Sequence, residues 1–230
     1  MIIKLDWDSD FFEMNVAECN ISDKNEFTIQ NNIFDLIYIK SNIDFNLIKS
    51  NFTISNEEVK LVFSKKIKID NLFEADNIFN FHELKKIETN DLYDLAFRSG
   101  KYSRFKKDPK ISFQQFQELY IEWINNAINK SFNDYFIVYL QENKIIAMLT
   151  MKNFENYSQI GLIAVDQKFK GKGIGSKMLL KAENYCFKNN ILELRIPTQE
   201  ENIGACKFYI KNGYEIIDTS IIKHAWRNEQ

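Results

Sequence analysis

The segment 160–176, IGLIAVDQKFKGKGIGS, constrains the fold of this chain more strongly than any other stretch of its sequence. It opens with an apolar run that ends at Val165, and Asp166 and Gln167 interrupt that run. From Ile174 onward, apolar residues recur four positions apart, which places them on one face of a helix. The segment is therefore predicted to form a strand, a glycine-rich turn and a helix in succession.

The glycine-rich turn is suited to binding a pyrophosphate. Gly171, Gly173 and Gly175 occupy alternate positions, so the backbone can curl and point several N–H groups into one concavity. The start of a helix carries partial positive charge, and Lys170 and Lys172 add full charges beside it. These features predict an anion site at the start of the helix.

Several phosphate-binding loops share this strand–turn–helix arrangement. A Walker loop requires Gly-Lys-Ser/Thr at a fixed spacing, whereas this chain has Gly-Ser-Lys at another spacing. A dinucleotide fingerprint requires glycine at the position of Ser176, although Glu193 lies at a suitable distance downstream. The sequence KGKGIG resembles the pyrophosphate loop of the GNAT acyltransferases, Arg/Gln-x-x-Gly-x-Gly/Ala, with Lys170 in the first position. Taken alone, the loop also fits an ordinary glycine-rich turn before a helix.

A second motif favours the acyltransferase interpretation. The segment 202–214, NIGACKFYIKNGY, follows a predicted strand at 191–197. It resembles the other GNAT signature, Asn-x-x-Ala-x-x-Phe-Tyr-x-x-x-Gly-Phe/Tyr, position by position. With two motifs in the expected order, the chain is identified as a member of the GNAT superfamily. The resemblance implies an α/β (α+β) fold in which helices flank a mixed, twisted sheet.

The resemblance also implies acyl-CoA as the co-substrate, carrying an acetyl or a longer hydroxyacyl group, and no metal. Backbone groups of Ile163 and Val165 would pair with the pantetheine amides like an added strand. Backbone N–H groups of the glycine loop would hold the pyrophosphate, and Asn202 would contact the CoA arm. The implied acyl-CoA-binding residues are Ile163, Val165, Lys170, Gly171, Lys172, Gly173, Ile174, Gly175, Ser176 and Asn202.

Tyr209 is the implied catalytic residue, as the acid that protonates the departing CoA thiolate. A phenol with a pKa of about 10 can donate to a thiolate whose conjugate acid has a pKa of about 8.5. Two structural alternatives stay open, namely a core tyrosine at 209 and an N-cap at Asn202 that serves only its own helix. The sequence identifies no general base.

Composition excludes several other classes of protein. The net charge is −2, which argues against a nucleic-acid surface. The three cysteines, Cys19, Cys186 and Cys206, are odd in number and unpaired in spacing, which predicts a reducing compartment without disulfides or a zinc site. No apolar run approaches 18 residues, and the first residues do not have the pattern of a signal peptide. We therefore expect a cytoplasmic protein that has no membrane partner.

The predicted domain organisation is a small N-terminal α/β domain at 1–78 and a GNAT domain at 79–230, with the polar segment 65–80 as the boundary. The expected elements of the first part are strands at 34–39 and 59–63 and a helix at 44–51. Those of the second part are a strand at 82–88, a helix from Thr89 to Phe97, a loop at 98–111 and a helix capped by Ser112. A hairpin at 135–152 precedes the glycine loop, and a pair of strands at 214–226 ends the domain.

Residues outside the GNAT motifs suggest the acceptor. Segments near Trp7 and Tyr102 resemble the dTDP-fucosamine acetyltransferase family of nucleotide-sugar acyltransferases. The resemblance implies transfer to the 4-amino or 3-amino group of a dTDP-linked amino-6-deoxysugar, for a surface polysaccharide such as the O-antigen of lipopolysaccharide. The acyl group would be acetyl or a hydroxyacyl such as 3-hydroxybutanoyl.

Three residues, Tyr102, Arg104 and Phe105, are the implied acceptor-binding residues. Arg104 offers a bidentate fork for a phosphate, and an aromatic ring can stack on a base or sugar. The structural alternative is that Phe105 belongs to the core and Arg104 pairs with Asp108. The alternative functions are acylation of a protein N-terminus or an aminoglycoside, and a non-catalytic acyl-CoA-binding module. A homodimer is compatible with the sequence.

Overall fold

The structure, a computed structural model, describes residues 2–22, 25–68, 73–85, 88–131 and 133–228. These residues form one large mixed sheet of ten strands, a small two-stranded sheet and six α-helices. The expectation of a mixed sheet flanked by helices is thereby confirmed. No helix among the described residues is long and apolar enough to cross a membrane.

The strands of the large sheet are β1 (Ile2–Lys4), β2 (Val16–Ile21), β4 (Leu36–Ser41), β6 (Phe52–Lys66), β7 (Ile78–Asn80), β8 (Tyr135–Gln141), β9 (Lys144–Asn153), β10 (Ser158–Val165), β11 (Glu193–Gln199) and β12 (Glu215–Arg227). The small sheet pairs β3 (Glu26–Phe27) with β5 (Asn46–Leu47). The helices are α1 (Asp6–Phe12), α2 (Asn90–Ser99), α3 (Arg104–Lys107), α4 (Phe113–Ile128), α5 (Ile174–Lys188) and α6 (Ile203–Lys211).

The large sheet has the order β1-β2-β4-β12-β6-β11-β10-β9-β8-β7. The 15-residue strand β6 lies near its centre, where it pairs antiparallel with β11 on one side and β12 on the other. Since β6 comes from the first 78 residues, the sheet is continuous across the expected domain boundary. The division at 78/79 stays a prediction, and positions 69–72 of the boundary segment lie outside the described residues.

Strands β10 and β11 separate after a short parallel contact. Their pairing consists of Ser158 with Leu194 and Gln159 with Arg195. Beyond these pairs β10 continues along β9 to Val165, while β11 continues along β6. The divergence leaves a gap between two neighbouring strands in the middle of the sheet.

Apolar layers cover both faces of the sheet. Leu92 of α2 and Phe116 of α4 belong to one buried cluster, whereas Met178 of α5 and Tyr209 of α6 belong to another. Helix α4 begins with a capping box, in which the Ser112 hydroxyl accepts the backbone N–H of Gln115 and the Gln115 side chain accepts the backbone N–H of Ser112. The predicted cap at Ser112 is therefore confirmed.

The helix expected at 44–51 is wrong, because this segment contains bends and the short strand β5. Side chains at and just before the start of the segment bond nearby backbone groups: Ser41 Oγ accepts from Ile43 N at 3.2 Å, and Asp44 Oδ1 accepts from Phe45 N at 2.8 Å. Such local bonds compete with helical ones. Phe45, only 1% exposed, packs into a third buried cluster under β4.

The strand expected at 82–88 is also wrong at the described positions 82–85 and 88, while positions 86 and 87 lie outside the described residues. The strand β7 ends at Asn80, whose side chain accepts the N–H of His82 and starts a 3₁₀ turn, Phe81–Glu83. The expected loop at 98–111 contains a second 3₁₀ turn, Gly100–Tyr102, and the short helix α3, which the Ser103 side chain caps.

The pair of strands expected at 214–226 is one continuous strand, β12. It pairs with β4 on one edge and β6 on the other, and two bulges let it stay in register with both. The bulges lie between Ile216 and Asp218 and between His224 and Ala225. Because β12 pairs with β6 along nearly its whole length and with β4 on its other edge, no turn interrupts it and the expected break is absent.

Candidate active site

A cleft of about 800 Å³ opens at the gap between β10 and β11. One end is formed by β10, the glycine loop, the start of α5 and helix α6. The other end is formed by the connection from α2 to α3, by α4 and by β6. We call these the donor end and the acceptor end.

At the donor end of the cleft, strand β10 directs free backbone N–H groups toward the gap. The Leu162 N–H donates to Thr150 Oγ1 at 3.0 Å, and the Asp166 N–H donates to Ile146 O at 2.8 Å, so both point toward β9. Because backbone groups along a strand alternate in direction, the N–H groups of Ile163 and Val165 point into the gap. This is the orientation that pairing with pantetheine amides requires.

The glycine loop has the conformation expected of an anion cradle. Gly171 and Gly173 have φ of 78° and 76°, which disfavours residues with a side chain, and a Cβ atom at either position would meet no atom within 4 Å. Gly173 is the N-cap of α5 and provides no side chain to bond the first N–H groups of the helix. Those donors are therefore available to a ligand.

Gly175 plays a different part, because it allows a close approach of α5 and α6. A Cβ atom built on Gly175 would lie 3.0 Å from Cζ of Phe208. All of the predicted loop residues line the cleft except Lys172, whose Nζ lies 5.0 Å from the ring centroid of Phe169. Lys170 lines the cleft, and its contact with a pyrophosphate stays a prediction.

Tyr209 and Asn202 of the second motif also line the donor end. Tyr209 is 4% exposed, and its ring lies 5.4 Å from that of Phe63 on β6. Burial raises the pKa of Tyr209 well above its usual range, so the phenol keeps its proton at neutral pH. Asn202 is the N-cap of α6, since its Oδ1 accepts the N–H of Ala205 at 3.4 Å. Capping and ligand contact are thus compatible at Asn202.

Tyr102, Arg104 and Phe105 line the acceptor end, and their binding of an acceptor stays a prediction. The Arg104 guanidinium lies 4.6 Å from the ring centroid of Tyr38 and 4.7 Å from that of Phe105. Phe105 is 6% exposed and packs on Phe12 of α1 as well, so it is a core residue with one edge toward the cleft. Its availability for stacking on an acceptor is correspondingly small.

Arg104 does not pair with Asp108, contrary to the structural alternative drawn from the sequence. Asp108 Oδ2 accepts from His224 Nδ1 at 2.6 Å and from Trp226 Nε1 at 2.9 Å. These bonds hold the pKa of Asp108 below its usual value despite burial, while burial lowers the pKa of His224 to about 4. The pair is structural, and it leaves the guanidinium of Arg104 to the cleft.

Glu58 and Lys60 of β6 line the acceptor end too, although the sequence analysis did not identify them. Glu58 Oε2 and Arg104 Nε, both of residues that line the cleft, are buried and have no hydrogen-bond partner among the described residues. Each unpaired buried polar atom costs roughly 1–3 kcal/mol. Such unpaired atoms are typical of a site whose partner is a ligand. The signal in the sequence was two charged residues spaced by two, on one face of a strand otherwise rich in Val, Leu and Phe.

Two ion pairs lie at or beside residues that line the cleft. Arg98 Nη1 of α2 lies 3.4 Å from Asp166 Oδ2, just after β10, and Lys107 of α3 pairs with Glu201, just before α6. Exposed pairs of this kind contribute at most about 1 kcal/mol. Among the residues that the structure describes, no group of histidine, cysteine and acidic side chains could hold a metal ion.

Comparison with known proteins supports the two motifs. Residues 90–214 match the acetyltransferase (GNAT) family. The chain is 35% identical over 88 residues to streptothricin acetyltransferase A of Bacillus subtilis, which is 37% of this chain and 51% of that protein. The chain thus spans about half the length of that relative.

Two further similarities extend over most of the chain. The sequence is 24% identical over 221 residues to dTDP-fucosamine acetyltransferase of Escherichia coli O6:H1, with 94% of each chain covered. An acetyltransferase of the GNAT family from Novosphingobium aromaticivorans superposes with a TM-score of 0.58 at 10% identity, covering 84% of this chain and 75% of that one. At that identity the superposition supports the fold alone.

Proposed function

The chain belongs to the acetyltransferase (GNAT) family, and we propose that it transfers an acyl group from acyl-CoA to the amino group of a dTDP-linked amino-6-deoxysugar. One observation supports this proposal most strongly. A single cleft joins backbone donors at the β10–β11 gap to an acceptor end lined by cationic side chains.

The donor end fits acyl-CoA by its backbone. Ile163 and Val165 have the free N–H groups that the pantetheine amides need, and the turn from Lys170 to Ser176 offers donors to a pyrophosphate. The acyl carbonyl would then lie in the gap between the strands, near the Val165 N–H. The acyl group is acetyl or a hydroxyacyl in this proposal.

The transfer is direct, with both substrates bound at once. The acceptor nitrogen attacks the thioester carbonyl carbon, the C–N bond forms, and the C–S bond breaks. Tyr209 gives its proton to the CoA sulfur; burial keeps that proton on the phenol at neutral pH, although the raised pKa makes the phenol a weaker acid than an exposed tyrosine. The nitrogen then gives one proton back to the phenolate, so the products are the amide and free CoA.

The charge of the cleft favours an anionic acceptor. Its described lining contains six lysine and arginine side chains and one carboxylate. Lys60, Arg98, Lys101 and Arg104 are the cations of the acceptor end. A nucleoside diphosphate carries the negative charge that such a surface binds, whereas a polycationic aminoglycoside would be repelled. The similarity to dTDP-fucosamine acetyltransferase over 94% of the chain agrees with this choice.

The proposal extends to a cytoplasmic role in assembling a surface polysaccharide such as the O-antigen, with a homodimer as a compatible state. The test is a panel of dTDP- and UDP-linked amino sugars, each with acetyl-CoA and 3-hydroxybutanoyl-CoA, read by mass spectrometry. We expect acylation of a dTDP-4-amino- or 3-amino-6-deoxysugar. If the enzyme acylates streptothricin, an aminoglycoside or a peptide N-terminus but no nucleotide sugar, the proposed acceptor is wrong. The N-acyltransferase activity itself would still stand.

A non-catalytic acyl-CoA-binding module is the remaining alternative. It would bind acetyl-CoA by calorimetry yet release no free CoA with any amine of the panel. A thiol-reactive dye that detects free CoA distinguishes the two outcomes.

A further inference from the structure

Glu58 is a buried carboxylate in the wall of the cleft with one oxygen unused. Its side chain is 6% exposed, and Oε2 has no hydrogen-bond partner among the described residues. Buried carboxylate oxygens in proteins almost always accept hydrogen bonds. The unused oxygen therefore indicates a donor that arrives with the substrate.

Strand β6 places this carboxylate where an acceptor must pass. Glu58 pairs with Ile222 of β12, and Lys60, two residues further, pairs with Gln199 of β11. Glu58 and Lys60 thus share the face of the sheet on which Arg104 of α3 also lies. Strand β11 is the one that diverges from β10, so an amine entering from the α3 side reaches the gap alongside Glu58.

The chemistry of the cleft leaves few other groups that could take a proton from an amine. Of the described residues that line it, Glu58 alone carries a carboxylate, and none is a histidine or a cysteine. Burial raises the pKa of Tyr209 well above its usual range and that of Tyr120 to about 12, so both phenols remain protonated.

Burial and several neighbouring groups act on the pKa of the Glu58 carboxyl in opposite directions. Burial raises its pKa above the ordinary 4.5, and Arg104 of α3 and Lys60 of its own strand oppose that rise, as does Gln199 of β11. Tyr120 of α4 is the other titratable group close to it, and it is neutral. A carboxylate whose pKa is raised in this way accepts a proton more readily than an exposed one.

We propose that Glu58 is the catalytic base, which accepts a hydrogen bond from the acceptor's ammonium group and removes one of its protons. The proton moves from nitrogen to Oε2, the carboxylate becomes a carboxylic acid, and the freed lone pair attacks the thioester carbon. As the C–S bond breaks, Tyr209 protonates sulfur, and the second nitrogen proton restores the phenol. The Glu58 proton leaves to solvent after the amide departs, so one proton is released per turnover.

This inference rests on the proposed N-acyltransferase activity and on amine entry at the acceptor end. Its test compares Glu58→Gln with the wild type, using acetyl-CoA and dTDP-4-amino-4,6-dideoxygalactose from about pH 6 to about pH 9. We expect kcat/KM near neutral pH to fall by about 10²–10⁴-fold, with the loss shrinking as the pH rises and the amine deprotonates without help. The dissociation constant for acetyl-CoA should not change.

Two variants accompany this comparison. Glu57→Gln is the matched control, because Glu57 is the neighbouring residue on β6 and pairs with Lys223 at 2.9 Å outside the cleft. It should behave like the wild type. Glu58→Asp keeps a carboxylate that is shorter by one methylene, so it should retain the acidic limb of the pH profile with a reduced rate.

The outcomes separate this inference from the choice of acceptor. A Glu58→Gln enzyme within about twofold of the wild type at every pH overturns the role of Glu58. Should that variant not fold, loss of the acidic limb in Glu58→Asp overturns it instead. If the wild type acylates no dTDP-amino sugar, the proposed acceptor has failed, and the same variants are compared with streptothricin or spermidine as the amine.

A titration without any acceptor completes the test. In protein labelled with carboxyl-¹³C glutamate, the resonance that disappears in Glu58→Asp is that of Glu58. We expect it to titrate above the ordinary pKa of a glutamate. Titration at or below the ordinary value overturns the proposal, whatever the enzyme acylates.

Discussion

Tyr209 combines two properties at a single residue, a place in the cleft wall and a phenol that keeps its proton. The sequence could predict the first property because the motif at 202–214 is continuous along the chain. The second depends on Phe63, which comes from a distant strand and shields the ring. A motif therefore locates the acid, whereas packing determines its pKa.

Replacing Tyr209 with phenylalanine removes one oxygen and keeps the ring. We expect turnover to fall by about 10²–10⁴-fold, because the departing thiolate loses its proton donor. The affinity for acetyl-CoA, measured by calorimetry, should stay the same. Tyr185→Phe is the matched control, since the Tyr185 hydroxyl bonds Asn153 at 2.9 Å away from the cleft. Near-normal turnover of Tyr209→Phe, with chemistry rate-limiting, would assign the acid to another group.

The guanidinium of Arg104 packs over the rings of Tyr38 and Phe105, but its Nε has no partner among the described residues. This arrangement suits a side chain that binds an anionic substrate. Arg104→Ala should raise the KM for the dTDP-amino sugar, or lower kcat where orientation is lost, without weakening acyl-CoA binding. It should also cost up to about 2 kcal/mol of stability through the lost stacking. Steady-state kinetics and thermal unfolding measure the two effects separately.

The neighbouring Lys106 provides the control for Arg104. Lys106 lies on the same helix, is exposed and does not line the cleft, so Lys106→Ala should leave the acceptor KM unchanged. Equal KM values for the wild type and Arg104→Ala would show that the diphosphate does not bind at α3.

At the scale of the element, the glycine loop and α5 form a unit whose conformation a side chain would disturb. Gly173→Val places a β-branched residue at a φ of 76°, which costs about 1–2 kcal/mol and shifts the N-terminal donors of α5. We expect a weaker affinity for acetyl-CoA in a protein that still folds.

Gly213→Val is the matched control for the loop. Gly213 has a φ of 82° and similar room, but it lies outside the cleft. It should lose comparable stability and keep its affinity for acetyl-CoA. Calorimetry on both variants decides the matter, and unchanged binding in Gly173→Val would show that the loop does not hold the pyrophosphate.

Elements whose sequence contains local signals, such as glycines, caps and apolar periodicity, were predicted well. Elements whose structure depends on contacts with distant segments were not. The strand β10, the helix α5 and the helix α6 combine glycines, caps and apolar periodicity within short segments. The segment around Phe45 has helical spacing, yet local side-chain bonds and burial under β4 override it. The acceptor end was found only in part, because Glu58 and Lys60 depend on the register of β6 between two other strands.

At the scale of the whole molecule, the sheet does not divide where the sequence suggested a boundary. Residues 79–230 without β6 would leave β11 and β12 without the strand that lies between them. Expressed alone, this fragment is expected to aggregate or to lack cooperative unfolding, because two long strand edges are exposed. Circular dichroism during heating measures this directly. A cooperative transition together with full-length affinity for acetyl-CoA would instead establish 79–230 as an autonomous domain.

The two ends of the cleft differ in what they are made of, and that difference has an evolutionary consequence. Backbone N–H groups of β10 and the glycine loop line the donor end, and substitutions of most side chains leave those groups in place. Side chains of β6 and α3 line the acceptor end, where one codon change alters charge or shape. Descendants of such a gene would keep the same acyl donor and diverge in what they acylate. The names of its relatives, one for streptothricin and one for dTDP-fucosamine, follow that pattern.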